Sequence, residues 1–222
     1  MQFIDLIKMG VNTLYFNFKV FGFFRGLKLQ VIVGPKTKFG VLGRNSIIIH
    51  KPGFGRLRFG FCKGSFAKGE SCQSYINIES NCIIEILDFV SMAQGIVFNV
   101  TNSSKVKITS LTANYGCLIS IANGLIVDEN VLLGWNVSII DSDGHMIKSV
   151  DSNKKNVSRP IHIHKNCWLS AESTILKGVT LAEDTIIPYG NIITKSNDSP
   201  QSIWGGYPNH ILKKECYRDD AD

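Results

Sequence analysis

A histidine at position 145 closes the run Asp141-Ser142-Asp143-Gly144-His145, the stretch of this chain best suited to do chemistry. A neutral imidazole can take a proton from a hydroxyl near pH 7, and a carboxylate beside it can fix its tautomer and stabilise the imidazolium that forms. Asp141 and Asp143 both qualify for that second part, and spacing does not choose between them. Two more histidines, His162 and His164, stand two apart. On a strand they would project from one face and could both ligate a metal. The third ligand would then be His145 or a residue of a neighbouring subunit.

These residues have to be held by a scaffold, and the scaffold is legible as a repeat. From Ile163 onward an aliphatic falls on every sixth position, at Ile163, Leu169, Ile175, Leu181, Ile187 and Ile193, and the same phase holds upstream at Ile121, Val127, Leu133 and Ile139. A helix repeats every 3.6 residues and a half-buried strand every 2, so a strict six makes each hexad one short structural step. Such hexads predict an all-β parallel β-helix in which each coil buries its inward aliphatics on the coil below. The fifth place of each hexad, Cys167, Ser173, Val179, Thr185 and Asn191, is small, β-branched or short and suits a second inward position near a corner. An earlier block keeps the period one residue out of phase, at Ile78, Ile84, Val90, Ile96 and Ile108, with polar Asn102 between. A one-residue slip turns every side chain around unless a turn or bulge absorbs it, and the expected place is near Asn114 and Gly116.

The hexads stop after Ile139 and resume at Ile163, so His145 sits on a loop thrown out from a rigid solenoid, where function concentrates. The domain reading is therefore a single β-helix over 31–200 with a loop at 140–162. It is preceded by a distinct segment, 1–30, and followed by a short helical tail, 201–222. Residues 1–30 mix phenylalanines with Lys8, Lys19, Arg25 and Lys28 and contain no apolar run long enough to span a bilayer. They read either as a cap over the open first coil or as an aromatic, basic segment at the inner face of an anionic membrane.

Six cysteines without a Cys-x-x-Cys pair argue for free thiols in a reducing cytoplasm. The Asn-x-Ser/Thr triplets at Asn99, Asn102, Asn136 and Asn156 would matter as glycan acceptors only in a secreted protein. A net charge of +6 fits a phosphate-rich cofactor, a nucleotide sugar or an anionic membrane equally well, and nucleic acid is not an expected partner.

Four segments together resemble the hexapeptide-repeat acyltransferases: Leu133-Gly134-Trp135-Asn136-Val137, the run ending at His145, Cys167-Trp168-Leu169-Ser170-Ala171, and Ile175-Leu176-Lys177-Gly178-Val179-Thr180-Leu181. The closest branch is the polysaccharide O-acetyltransferases, which are similar to the galactoside and maltose acetyltransferases. The resemblance implies a left-handed β-helix, a homotrimer with active sites in clefts between subunits, and acetyl-CoA as donor, with no metal required. It implies His145 as general base, with Asp143 or Asp141 beside it, and an acceptor site at Asn114, Trp135 and Asn136. It places Trp168, Ala171, Tyr189, Thr194 and Lys195 along the CoA arm. Gly206-Tyr207-Pro208-Asn209, with His210 and Lys213, is similar to the family's ending, whose basic residues meet the nucleotide phosphates. The implied reaction is acetyl transfer to a sugar hydroxyl, free or carried on a nucleotide or lipid, in surface polysaccharide synthesis.

Three alternatives stay open. The chain could be a non-catalytic binding solenoid or scaffold, although such a protein has no reason to place an Asp-Ser-Asp-Gly-His run at a coil break. A serine acetyltransferase-like enzyme is a second, without the large helical domain usual there. A metal-dependent enzyme like the γ-type carbonic anhydrases is a third, but the spacing of His162 and His164 does not match that family.

Overall fold

In the computed structural model, which describes residues 3–61, 72–148 and 156–219, the chain winds as a three-sided parallel β-helix behind one N-terminal helix. Successive strands fall in turn on three sheets, here called first, second and third, of nine, seven and six strands. Neighbouring strands within a sheet are parallel and a full coil apart, the last pair of the first sheet excepted. The six-residue period follows from this, because three hexads bring the chain back to the same face. His162 thus pairs with Thr180, Trp168 with Ile186 and Thr174 with Ile192.

The in-phase aliphatics from Ile121 to Ile193 are all wholly buried in one column, and so are Cys167, Ser173, Val179 and Thr185 at the fifth place of their hexads. Full burial of one such aliphatic side chain contributes roughly 1.5–3 kcal/mol. The column is therefore the main source of the scaffold's rigidity.

The phase slip lies elsewhere than at Asn114 and Gly116. That corner is regular: Gly116 is left-handed with φ 78°, as are Gly95, Asn136, Glu172 and Gly190 at the equivalent corners of other coils. The slip is absorbed where the third sheet passes to the first. Only Thr109 and Ser110 separate the inward residues Ile108 and Leu111, whereas residues 87–89, 128–130 and 164–166 fill the same corner in other coils. Losing one residue at a corner shifts the sequence phase without turning any strand over. Periodicity alone cannot distinguish a short corner from a bulge.

Both open ends of the solenoid are closed by side chains that take over the role of a missing strand. The helix Phe3–Gly26 lies on the first strand, Val31–Val33, burying Phe16, Val20 and Phe21. From its buried face Asn17 donates to the Val31 carbonyl at 2.6 Å and accepts the Val31 N–H at 3.2 Å, while the Thr13 hydroxyl accepts the Val33 N–H at 3.0 Å. An exposed sheet edge is a template for pairing with other chains, so these contacts also protect against aggregation. At the other end, Asn209 accepts the Thr194 N–H at 2.8 Å and donates to the Ile192 carbonyl at 2.8 Å, which covers the last strand of the second sheet.

The C-terminal segment corrects an expectation, for residues 201–219 contain no helix. Ser202–Gly205 continues the first sheet and turns back antiparallel into His210–Lys214 through a cis Tyr207–Pro208 bond. An antiparallel return ends the parallel winding at that sheet's edge. Cys82, Cys117 and Cys167 are buried and, with Cys216, carry free thiols; Cys62 lies outside the described residues.

Candidate active site

The loop bearing His145 leaves the second sheet after Ser138–Ile140 and returns to the third at Ile161–Ile163. Its neck is fixed by Asp141. This carboxylate is wholly buried and accepts three backbone N–H groups, from Ala122 at 2.7 Å, Asn123 at 2.7 Å and Gly124 at 2.8 Å. The Arg159 N–H donates to the Asp141 carbonyl at 3.2 Å and closes the neck. With both oxygens occupied, Asp141 anchors the loop and does not touch the imidazole.

Asp143 is also committed elsewhere. It pairs with Lys177, which belongs to the next coil, and accepts Asn156 Nδ2 at 2.6 Å. The Lys177 bond first, and the Asn156 bond second, hold the Asp143 carboxyl below its ordinary value of 3.8. Asn156 Nδ2 donates in addition to the His145 carbonyl at 3.0 Å, and Asn156 Oδ1 accepts the Ile147 N–H at 2.5 Å. The backbone on either side of Met146 is therefore clamped from across the loop. His145 itself is exposed, and no described residue hydrogen-bonds its ring. The arrangement presents an imidazole to solvent on a fixed backbone with both nitrogens available.

Of the expected acceptor and donor residues, Asn114, Trp135, Asn136, Ala171 and Tyr189 share one edge of the prism, where the first sheet turns into the second. Backbone bonds stack them coil on coil. The Glu172 N–H donates to Trp135 at 2.8 Å and the Gly190 N–H to Ala171 at 3.0 Å. The Ala171 N–H finds no acceptor among the described residues, so it is available to hold an anion. Its approach to the coil below depends on Gly134, since a Cβ there would lie 2.5 Å from the Ala171 nitrogen. Trp168 faces outward on the adjoining strand, and Tyr189 is 71% exposed.

Asn136 is less free than expected, because its side-chain amide donates to Glu172 at 2.7 Å. Thr194 and Lys195 are exposed on the other edge of the second sheet, the edge from which the His145 loop departs. His210 and Lys213 are exposed on the final strand, where the His210 Nδ1–H donates to the Pro208 carbonyl at 2.8 Å. Within one chain, then, His145 and the Ala171 N–H stand on different edges. Sequence reading missed Asn156, seen there only as part of an Asn-x-Ser triplet, and gave no separate task to Lys177.

His162 and His164 point out of the third sheet and meet on Asp128, which neither periodicity nor motif had singled out. His162 Nε2 lies 3.1 Å and His164 Nδ1 3.0 Å from the same carboxylate oxygen.

The fold of this chain superposes on that of solved sugar-polymer acetyltransferases. The structure of the polySia-specific acetyltransferase NeuO matches 86% of this chain and 83% of its own length with a TM-score of 0.65 at 22% identity. That of the polysialic acid O-acetyltransferase OatWY matches 86% and 88% with a TM-score of 0.55 at 18% identity. The shared fold is a left-handed parallel β-helix. In sequence the chain is similar to the galactoside O-acetyltransferase of Escherichia coli K12, 27% identical over 107 residues, 48% of this chain and 52% of the relative. Its similarity to the galactoside O-acetyltransferase of Lactococcus lactis is 29% over 109 residues, 48% and 51% of the two chains. The chain thus spans about half the length of the curated relatives it matches. No family model matches it. No helix among the described residues is long and apolar enough to cross a membrane.

Proposed function

We propose that this protein is an O-acetyltransferase that moves an acetyl group from acetyl-CoA to a sugar hydroxyl, with His145 as general base. The observation that carries the reading is the exposed imidazole of His145, unpaired among the described residues, on a backbone fixed by Asn156 and anchored through Asp141. Sequence similarity to galactoside O-acetyltransferases supports the reaction class.

The residues fit the donor at two places. The Ala171 N–H is an unused donor beside the corner column, and the basic side chains of Lys195, His210 and Lys213 are exposed toward the last coils, where phosphates would be met. A thioester supplies an already activated acyl carbon. His145 removes the acceptor's hydroxyl proton as the alkoxide oxygen forms its bond to that carbon. The Ala171 N–H stabilises the tetrahedral oxyanion. When the C–S bond breaks, the His145 imidazolium returns the proton to the departing thiolate. No acyl-enzyme is needed, because both substrates can be held side by side.

The separation of His145 and Ala171 on two edges of one chain supports a homotrimer in which a cleft between protomers brings them together. The outward side of the N-terminal helix carries Ile4, Ile7, Val11 and Leu14 with Lys8 and Lys19, which supports a cytoplasmic location at the inner face of the membrane. A lipid-linked sugar or surface polysaccharide would be met there. The test is acetyl transfer from labelled acetyl-CoA to a panel of galactosides, sialic acid polymers and nucleotide sugars. The reading requires CoA release that depends on an acceptor, and release with none of the panel or with water alone would contradict it.

A further inference from the structure

The three-residue cluster stands on the third sheet and has no part in the reaction above. His162 and His164 flank the inward Ile163 and so project from the same face of their strand. Asp128 follows the strand Gly124–Val127 one coil below, and the Asp128 N–H donates to the Ile163 carbonyl at 3.0 Å, which sets Asp128 beneath His164. One donor atom from each residue falls within 4.8 Å of the others. The rings lie 3.8 Å apart between centroids, and all three residues are only partly buried.

We propose that Asp128, His162 and His164 form a binding site for a divalent transition metal of the zinc type. Two imidazole nitrogens and one carboxylate oxygen are a ligand set suited to zinc, and ligand bonds of roughly 2.0–2.2 Å in a tetrahedron bring donor atoms about as close as these are. Imidazole-rich sites select zinc, copper or nickel over magnesium and calcium, which prefer oxygen alone. A solvent molecule would complete the coordination, because the partly exposed site faces outward. Without metal both rings direct nitrogen toward Asp128. A neutral ring frees its lone pair for the metal by moving its proton, through solvent, to its other nitrogen.

The position gives the site a structural task. The two strands it joins, Gly124–Val127 and Ile161–Ile163, are paired neighbours in the third sheet, and the whole excursion bearing His145 is inserted between them in sequence. A metal there staples the coil into which the loop returns to the coil it left behind. Little side-chain reorganisation is required, since the scaffold already holds the donors together, and preorganisation of this kind favours affinity. The proposal does not depend on the acetyl-transfer reading.

The experiment is zinc titration by calorimetry of EDTA-stripped, dialysed full-length protein, with elemental analysis after desalting. Wild type should take up one zinc per chain with a dissociation constant in the micromolar range or below, and its melting temperature should rise as bound ligand accumulates. Asp128→Asn should weaken binding at least tenfold, and His162→Ala combined with His164→Ala should abolish it. His145→Ala should bind as wild type does, which separates this site from the loop histidine. Circular dichroism of each variant guards against misfolding, and His164→Gln serves as a milder substitution if the double variant fails to fold. Absence of saturable zinc uptake by folded wild type, or equal uptake by the Asp128 and histidine variants, overturns the proposal.

Discussion

The side chain of Asn156 reaches the main chain of His145: its Nδ2 donates to the His145 carbonyl at 3.0 Å. The same nitrogen donates to Asp143, which Lys177 holds from the next coil. The Asp143 carboxylate therefore acts on the catalytic candidate through its backbone and at one remove, without touching the ring.

Asn156→Ala should consequently lower kcat by about 100-fold, the scale expected when a reacting group is misplaced by about 1 Å. Affinity for CoA should be unchanged, since Asn156 meets neither the corner column nor the basic C-terminal residues. Steady-state kinetics with both substrates varied provides the check. Asp143→Asn should show a smaller loss in kcat, because Asn156 keeps its bonds to His145 and Ile147.

Asp141 should behave in the opposite sense. Its removal in Asp141→Ala takes the acceptor from three backbone N–H groups, of which that of Gly124 is buried, and an unsatisfied buried donor costs about 1–3 kcal/mol. Denaturant unfolding should show a loss of about 1–3 kcal/mol by the same measure. Asp143→Ala, whose carboxylate is exposed, should unfold much as wild type does.

The pairing of Asp143 carries a pH signature. A carboxyl whose folded pKa is depressed contributes stability that is present above its unfolded value, near 3.8, and lost as pH falls through the lower folded value. The clamp on the loop should thus persist unchanged from pH 7 to 5 and release only below the ordinary carboxylate range. An NMR titration of the Asp143 carboxyl should find its midpoint below 3.8, and Lys177→Met should raise it.

Burial pushes the thiols of Cys117 and Cys167 up to about 12. The thiolate is the reactive form. At pH 8 a disulfide reagent should therefore leave both untouched in native protein and label them after denaturation, with mass spectrometry of digests reading the positions.

Much of this was legible in the sequence because a solenoid repeats one local pattern. Ile163 and Leu169 share an environment, so their spacing reveals the coil without any knowledge of distant contacts. What escaped was non-periodic. The missing corner residue between Ile108 and Leu111 leaves the same trace as a bulge. The antiparallel return of His210–Lys214 depends on an edge that exists only once the coils are stacked. Asp141 and Asp143 look interchangeable in a five-residue run, yet one points into the neck and the other toward Lys177. Asp128 is separated from His162 and His164 by the whole loop, and only the coil pairing brings the three together.

The central claim is that the exposed ring of His145 takes the acceptor's proton, and His145→Ala tests it most directly. With a folded protein and an acceptor that wild type acetylates, kcat should fall by about 10²- to 10⁴-fold, the usual contribution of positioned proton transfer. CoA binding and melting temperature should stay at wild-type values, because the ring is exposed and pairs with no described residue. Turnover near the wild-type rate in that variant would contradict the account.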